Sequence, residues 1–113
     1  MNKEILKHYV EYFSSQKGQK YPCSNQIVVC AIITKNKDKA FSVMEKKGAI
    51  IKRHSPDYIE WELNNERWLW TNWNMNCRGY RFYKIIVDED IDEDLFEYTR
   101  IYSGFYCCSM EII

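Results

Sequence analysis

Apolar residues recur at Ile5, Leu6, Tyr9, Tyr12 and Phe13, the three-to-four spacing of an amphipathic helix, with Lys3, Lys7 and Glu11 on the opposite side. That spacing predicts a helix over about 2–16. The unbroken β-branched run Ile27-Val28-Val29-Cys30-Ala31-Ile32-Ile33 predicts instead a short strand covered on both faces. Asn36 is placed to cap a second helix over about 37–47 with the stripe Ala40, Phe41, Val43 and Met44, and Gly48 stands at the left-handed end position. Lys37, Lys39, Lys46 and Lys47 are assigned to the side away from that stripe.

The pattern then changes period. A strand is expected from Ala49-Ile50-Ile51, a turn at Ser55-Pro56-Asp57, and clean alternation follows over Tyr58–Leu63. Asn64-Asn65 supplies the two residues tolerant of positive φ that a tight hairpin requires. The implied register sets Leu63 opposite Glu66, Glu62 opposite Arg67, Trp61 opposite Trp68 and Ile59 opposite Trp70. One face then carries Ile59, Trp61, Trp68 and Trp70, and the other an opposite-charge pair. Residues 72–79 read as a polar connection, 81–87 as a strand, and about 92–102 as a helix capped by Asp90 or Asp92 and carrying Leu95, Phe96, Thr99 and Tyr102. Ser103-Gly104 breaks that helix before a terminal strand from Phe105. The reading is one domain, residues 1–113, of the α/β class with α+β as the variant: a mixed sheet with a hairpin insertion and three helices.

Composition sharpens this picture in two respects. With 46% apolar and 16% aromatic residues the chain has material for one core, and no run approaches the ~18–20 apolar residues of a membrane span. The amino terminus carries no signal-peptide core, so the expectation is a cytoplasmic chain with reduced thiols. The five cysteines (Cys23, Cys30, Cys77, Cys107, Cys108) form no C-x-x-C pair, and His8 and His54 are far apart in sequence. No metal site, cofactor or catalytic cysteine is expected. Adjacent Cys107 and Cys108 point to opposite faces of a strand and are read as free thiols.

The formal charge is zero, yet residues 1–55 hold 11 Lys/Arg against 4 Asp/Glu, and residues 56–113 hold 5 against 12. A basic half can meet nucleic acid, and an acidic half can repel or imitate it, unless folding interleaves the two. The basic loop Ser14–Pro22 with Lys17 and Lys20 lacks any glycine-rich phosphate-binding pattern. The tryptophan face, with Trp73 just beyond it, has two readings: a stacking platform, or the roof of a small core.

Chemical character concentrates where Ile85-Ile86-Val87 runs into Asp88-Glu89-Asp90 and then Asp92-Glu93-Asp94. A buried parallel strand that ends in acid presents carboxylates at the sheet's carboxyl edge, where α/β proteins place their sites. The alternating acids do not make a calcium loop, because the sixth and twelfth positions are Glu93 and Thr99 where an EF-hand needs Gly and Glu. Arg78-Gly79-Tyr80-Arg81-Phe82 running into Ile85-Ile86-Val87-Asp88-Glu89, together with Ile27–Ile33 followed by Thr34-Lys35-Asn36, resembles the ATPase half of phage large terminases and their helicase-like relatives. The hairpin of Asn64-Asn65-Glu66-Arg67-Trp68 also sits where those proteins often carry one.

The resemblance covers the chain from residue 27 onward. It implies that Asp88 is a Walker B acid and that Glu89 is its neighbour that positions water. It also meets a departure, since no Walker A sequence occurs anywhere and polyphosphate would have no cradle. The expectation is therefore a non-catalytic phage or mobile-element accessory protein that binds a protein or nucleoprotein partner. Its surface would be charged and built from Asp88, Glu89, Asp90, Asp92, Glu93 and Asp94, with Trp61, Trp68, Trp70 and Trp73 second. An anti-CRISPR-like inhibitor of host nucleic-acid-targeting defence is one concrete form. The alternatives are a direct nucleic-acid binder using Lys17, Lys20, Lys35, Lys37, Lys46, Lys47, Lys52 and Arg53, or a degenerate ATPase subunit completed in trans.

Overall fold

The computed structural model describes residues 3–15, 29–72, 81–102 and 104–113. The elements run α1 (Lys3–Ser15), β1 (Val29–Ile33), α2 (Lys37–Lys46), β2 (Ile50–Ser55), β3 (Tyr58–Leu63), β4 (Glu66–Thr71), β5 (Arg81–Val87), α3 (Glu93–Tyr102) and β6 (Gly104–Ile112). The six strands form one mixed sheet in the order β2-β3-β4-β1-β5-β6. β1 pairs in parallel with β4 on one side and with β5 on the other, and β6 extends the parallel side beyond β5. Only β3 runs against the rest. The α/β reading holds, with the hairpin lengthening one side of the sheet.

β1 is central because it can afford no water. All five of its residues are buried, and Ala31, Ile32 and Ile33 are wholly inaccessible. A short β-branched run suits that position, where both pleat faces meet other side chains. Residues 27 and 28, expected in the same strand, lie outside the described residues, as do the basic loop with Lys17 and Lys20, the connection 73–80 with Trp73, and Cys23 and Cys77. The side chains of Cys107 and Cys108 lie outside them too. Cys30 is buried in the core outside any disulfide, and its thiol donates to Glu66 Oε2 at 3.8 Å.

α2 begins where Asn36 accepts a hydrogen bond from the Lys39 amide through Oδ1 at 3.1 Å. It ends at Gly48, whose φ of +82° lets the amides of Gly48 and Ala49 reach back to the carbonyls of Glu45 and Met44. Ala40 and Met44 are buried under it, and the Phe41 ring meets Trp61 edge-on at a centroid distance of 5.9 Å. α2 therefore covers the tryptophan face of the hairpin.

The hairpin register is as expected, with Asn64 and Asn65 at φ of 53° and 63° and the pairs Leu63/Glu66, Glu62/Arg67, Trp61/Trp68 and Ile59/Trp70 in place. The charge pairing differs. Arg67 reaches the diagonal Glu60 at 2.7 Å and the Tyr58 hydroxyl at 3.0 Å, while Glu62 pairs with Lys52 of β2 at 3.0 Å. Glu60 offers Arg67 a position already organised by the Tyr58 hydroxyl, and β2 supplies Glu62 with another cation.

On the other side of the molecule α1 packs against β6 and α3. Leu6 is fully buried, and the Tyr9 ring lies 5.2 Å from that of Phe96. The Tyr9 hydroxyl donates to Glu97, which the Arg100 guanidinium also grips at 2.8 Å. The Arg100 hydrogen bond, with that of Tyr9, holds Glu97 below its ordinary carboxylate range. Tyr12, expected on the apolar stripe, is instead 59% exposed. No helix among the described residues is long and apolar enough to cross a membrane.

A Cβ at Gly48 would meet no atom within 4 Å, so the whole cost of filling that position is conformational. Gly48→Ala is expected to lower unfolding free energy by about 1–2 kcal/mol in urea titrations, and Gly48→Asn by less, because Asn visits the left-handed region more readily. Equal losses would show that sterics rather than φ sets the requirement.

Candidate functional site: the β1–β5 switch point

In an open α/β sheet, a crevice forms at the carboxyl ends of two adjacent parallel strands whose connections leave in opposite directions. β1 and β5 are such a pair. β1 continues through α2 to the far hairpin edge, and β5 continues through α3 to β6. Ile33 and Val87 are register partners at the strand ends, and the Asp88 amide donates to the Ile33 carbonyl at 2.9 Å. That one further bond sets Thr34 and Asp88 side by side, both buried.

The crevice is filled by the chain itself. Thr34 donates through Oγ1 to Asp88 Oδ2 at 2.6 Å, and the Asn36 amide donates to Thr34 Oγ1 at 3.0 Å. Lys39 Nζ donates to Asp88 Oδ1 at 2.8 Å, and the Asp90 amide reaches the same oxygen at 3.0 Å. Trp70 Nε1 closes the other side on the Thr34 carbonyl at 2.7 Å. Burial pushes the Asp88 carboxyl up, but the hydrogen bonds from Lys39, Thr34 and the Asp90 amide and the charge of Lys39 outweigh it, leaving Asp88 below its ordinary value. The hydrogen bond to Asp88 likewise lifts Lys39 above its ordinary value, against burial.

This arrangement corrects one assignment and completes another. Asp88 is not part of an acidic surface, and Lys39, away from the apolar stripe of α2, spends its charge on that buried carboxylate while part of its side chain keeps contact with water. The Asn36 cap makes Lys39 the third helical residue, so its flexible stem reaches back over the strand ends. A buried carboxylate without a cation would be costly, and Lys39 is the cation within reach. A recognisable signal lay in the chain: a lysine in the first turn of a helix that follows one buried strand, and an acid that directly follows another.

The remaining acids separate by role. Glu89 is half-buried and bridged to Lys3 of α1 at 3.1 Å. Asp92 precedes α3, accepts the Phe96 amide through its carbonyl at 2.9 Å and the Asp94 amide through its carboxylate at 3.3 Å. Glu93 and Asp94 occupy the first turn of α3, where negative charge is favoured by the helix dipole. Asp90, Asp92, Glu93 and Asp94 are all exposed, and none forms an ion pair among the described residues. No group of three or more His, Cys, Asp or Glu placed to hold a metal occurs among the described residues.

Trp61, Trp68 and Trp70 are 2%, 5% and 4% exposed, which makes them core residues and not a stacking platform. The physical reason is α2, whose Phe41 and Lys37 lie over Trp61 and Trp70. Of the basic residues, Lys37 donates to the carbonyls of Ser55 and Pro56, Lys47 pairs with Glu111, and Lys52 pairs with Glu62. Lys35, Lys46 and Arg53 are exposed on different segments. A depression of about 340 Å³ beside the hairpin is lined by Lys52, Glu60, Glu62, Glu66 and Arg67. Their charges are already matched, by Lys52 to Glu62, Arg67 to Glu60 and Lys84 to Glu66.

The fold and site define a small α/β protein with a self-closed switch point. Compared with family models, characterised proteins and solved structures, the chain finds no match.

Lys39→Met leaves Asp88, whose side chain is 6% exposed, without its cation. The expected loss lies toward the lower end of the roughly 3–5 kcal/mol found when one partner of a buried pair is removed, because Lys39 itself keeps access to water. An unchanged urea midpoint would show that the pair is not structural. The pH dependence has a definite sign. Because folding lowers the Asp88 carboxyl below 3.8, its contribution is complete above the ordinary carboxylate range and is lost as pH falls through the folded value. Asp88→Asn should therefore flatten the acid limb of the stability profile, measured by tryptophan fluorescence, relative to wild type.

Proposed function

We propose that this protein is a non-catalytic binding module. It docks the acidic ridge of Asp90, Asp92, Glu93 and Asp94 onto a basic surface of a protein or nucleoprotein complex in the cytoplasm. The observation that carries this reading is the division of the acidic run. Asp88 is consumed internally by Thr34, Lys39 and the Asp90 amide, whereas the four later acids face solvent and form no ion pair among the described residues. Catalysis at the strand ends would require Asp88 to surrender three donors. The loop from β1 to α2 is only Thr34-Lys35-Asn36, too short and too glycine-poor to wrap a phosphate in backbone amides.

An accessory protein of a phage or mobile element that occupies a basic channel built for DNA or RNA is the concrete form we favour, in keeping with the terminase-like resemblance of residues 27 onward. Acids at a helix head form a rigid, closely spaced negative surface, which speeds encounter with a basic partner and opposes nucleic acid. Direct nucleic-acid binding is the weaker reading, because Lys37, Lys47 and Lys52 are already engaged.

The test is affinity capture from bacterial lysate with wild-type protein and with a variant carrying Asp90→Asn, Asp92→Asn, Glu93→Gln and Asp94→Asn. Asn retains the cap at residue 92, so circular dichroism should be unchanged. A stoichiometric partner recovered by wild type, weakened by salt and reduced at least about tenfold in the variant, is expected. Equal recovery by both proteins would sink the ridge as the docking surface.

A further inference from the structure

Among the described residues, β2 has a neighbour on one side only. It pairs with β3, and its outer margin is the hairpin-side edge of the sheet, with a row of backbone N–H and C=O groups directed away from the protein. All six of its residues are exposed, including Ile50 at 61% and Ile51 at 49%. Two consecutive isoleucines point to opposite faces of a strand, so both faces of this edge offer apolar surface.

The edge also carries devices that oppose indiscriminate pairing, and their chemistry states what they oppose. The register slips between Ile51 and Arg53, which puts a bulge at Lys52. Two copies pairing antiparallel about a two-fold axis through the strand centre would set Lys52 of each directly against Arg53 of the other. Like charges in that position are destabilising, so a second copy is the occupant this strand rejects. A strand with carboxylates at those positions meets the same edge with complementary charge. Lys52 already leans on Glu62, whereas Arg53 is exposed and, although its charge acts on the cross-strand Glu60, forms no ion pair among the described residues, Glu60 being bridged to Arg67. Nucleic acid fits less well, because half of the groups on a strand edge are carbonyl acceptors, which a peptide strand's amides can meet and a phosphate chain cannot.

We infer that the β2 edge accepts an extended acidic segment of a partner protein as an added strand. Main-chain hydrogen bonds would hold it, Ile50 and Ile51 would supply apolar contact on its two faces, and Arg53 would select for a carboxylate. This surface is four strand spacings, roughly 19 Å, from β5 and the acidic ridge, so it is a second docking site that stands or falls independently of the first.

The probe is the peptide acetyl-Thr-Val-Glu-Val-Glu-Val-Thr-amide, titrated into isotopically labelled protein and followed by amide chemical shifts. A second peptide carries lysine in place of glutamate. Saturable shifts confined to residues 50–55 and their β3 neighbours are expected with the acidic peptide, along with slowed amide exchange along β2. Arg53→Glu should weaken binding about fivefold to tenfold. The lysine peptide should not saturate. Equal binding of the two peptides, shifts confined to residues 89–94, no saturation at millimolar peptide, or a wild-type dimer in sedimentation would each overturn the inference.

Discussion

The carboxylate of Asp88 is the constraint on which the centre of this protein depends. One oxygen takes the Thr34 hydroxyl and the other takes Lys39 and the Asp90 amide, so one side chain ties together the end of β1, the first turn of α2 and the turn that follows β5. Each of these segments has unsatisfied polar groups where its regular structure stops. Meeting them with one buried anion converts three loose ends into a single polar plug. The ends of the two strands that share the plug are buried, from Cys30 to Ile33 in β1 and from Ile85 to Val87 in β5, and its position is where an enzyme of this architecture would keep an open crevice. Here the polar groups that such a crevice would offer a ligand are satisfied internally.

Charge is handled in the same way across the rest of the molecule. The sequence separates into a basic half and an acidic half, but folding stitches them together: Lys3 to Glu89, Lys39 to Asp88, Lys47 to Glu111 and Lys52 to Glu62 all cross the divide. The exposed members of this set add little to stability individually. Their effect is to erase most of the dipole that the linear charge distribution suggests. Among the described residues they leave uncovered the acids at the head of α3, and scattered cations such as Lys35, Lys46 and Arg53.

How much of this was legible depended on whether a residue's role is decided by its neighbours in sequence. The Asn64-Asn65 turn and the alternation on either side of it settle register locally, so the hairpin could be read pair by pair. The Asn36 cap and the left-handed Gly48 are equally local. The fate of Lys39 was not, since a lysine on the flank of an amphipathic helix has the same pattern whether it reaches water or a carboxylate on a strand 49 residues away. Arg67 shows the same limit at shorter range. Register puts it opposite Glu62, but its actual partner is Glu60, because Tyr58 sits on that diagonal and β2 brings Lys52 to Glu62. The tryptophan face was legible as a face, and its burial depended on where α2 came to rest.

The strand order carries a consequence for how the chain is made. β1 is the centre of the sheet, yet its first hydrogen-bonded neighbour begins at Glu66 and its second at Arg81. A ribosome adding ~5–20 residues per second leaves the most apolar strand of the protein without a sheet partner for seconds after it is complete. β2, β3 and β4 can close on one another in that interval, because their pairings are adjacent in sequence and need no distant segment. The meander is therefore able to form as a preassembled half-sheet, onto which the waiting strand docks as a unit. The central strand is in this sense made early and sealed late, and its sealing awaits the arrival of residue 88.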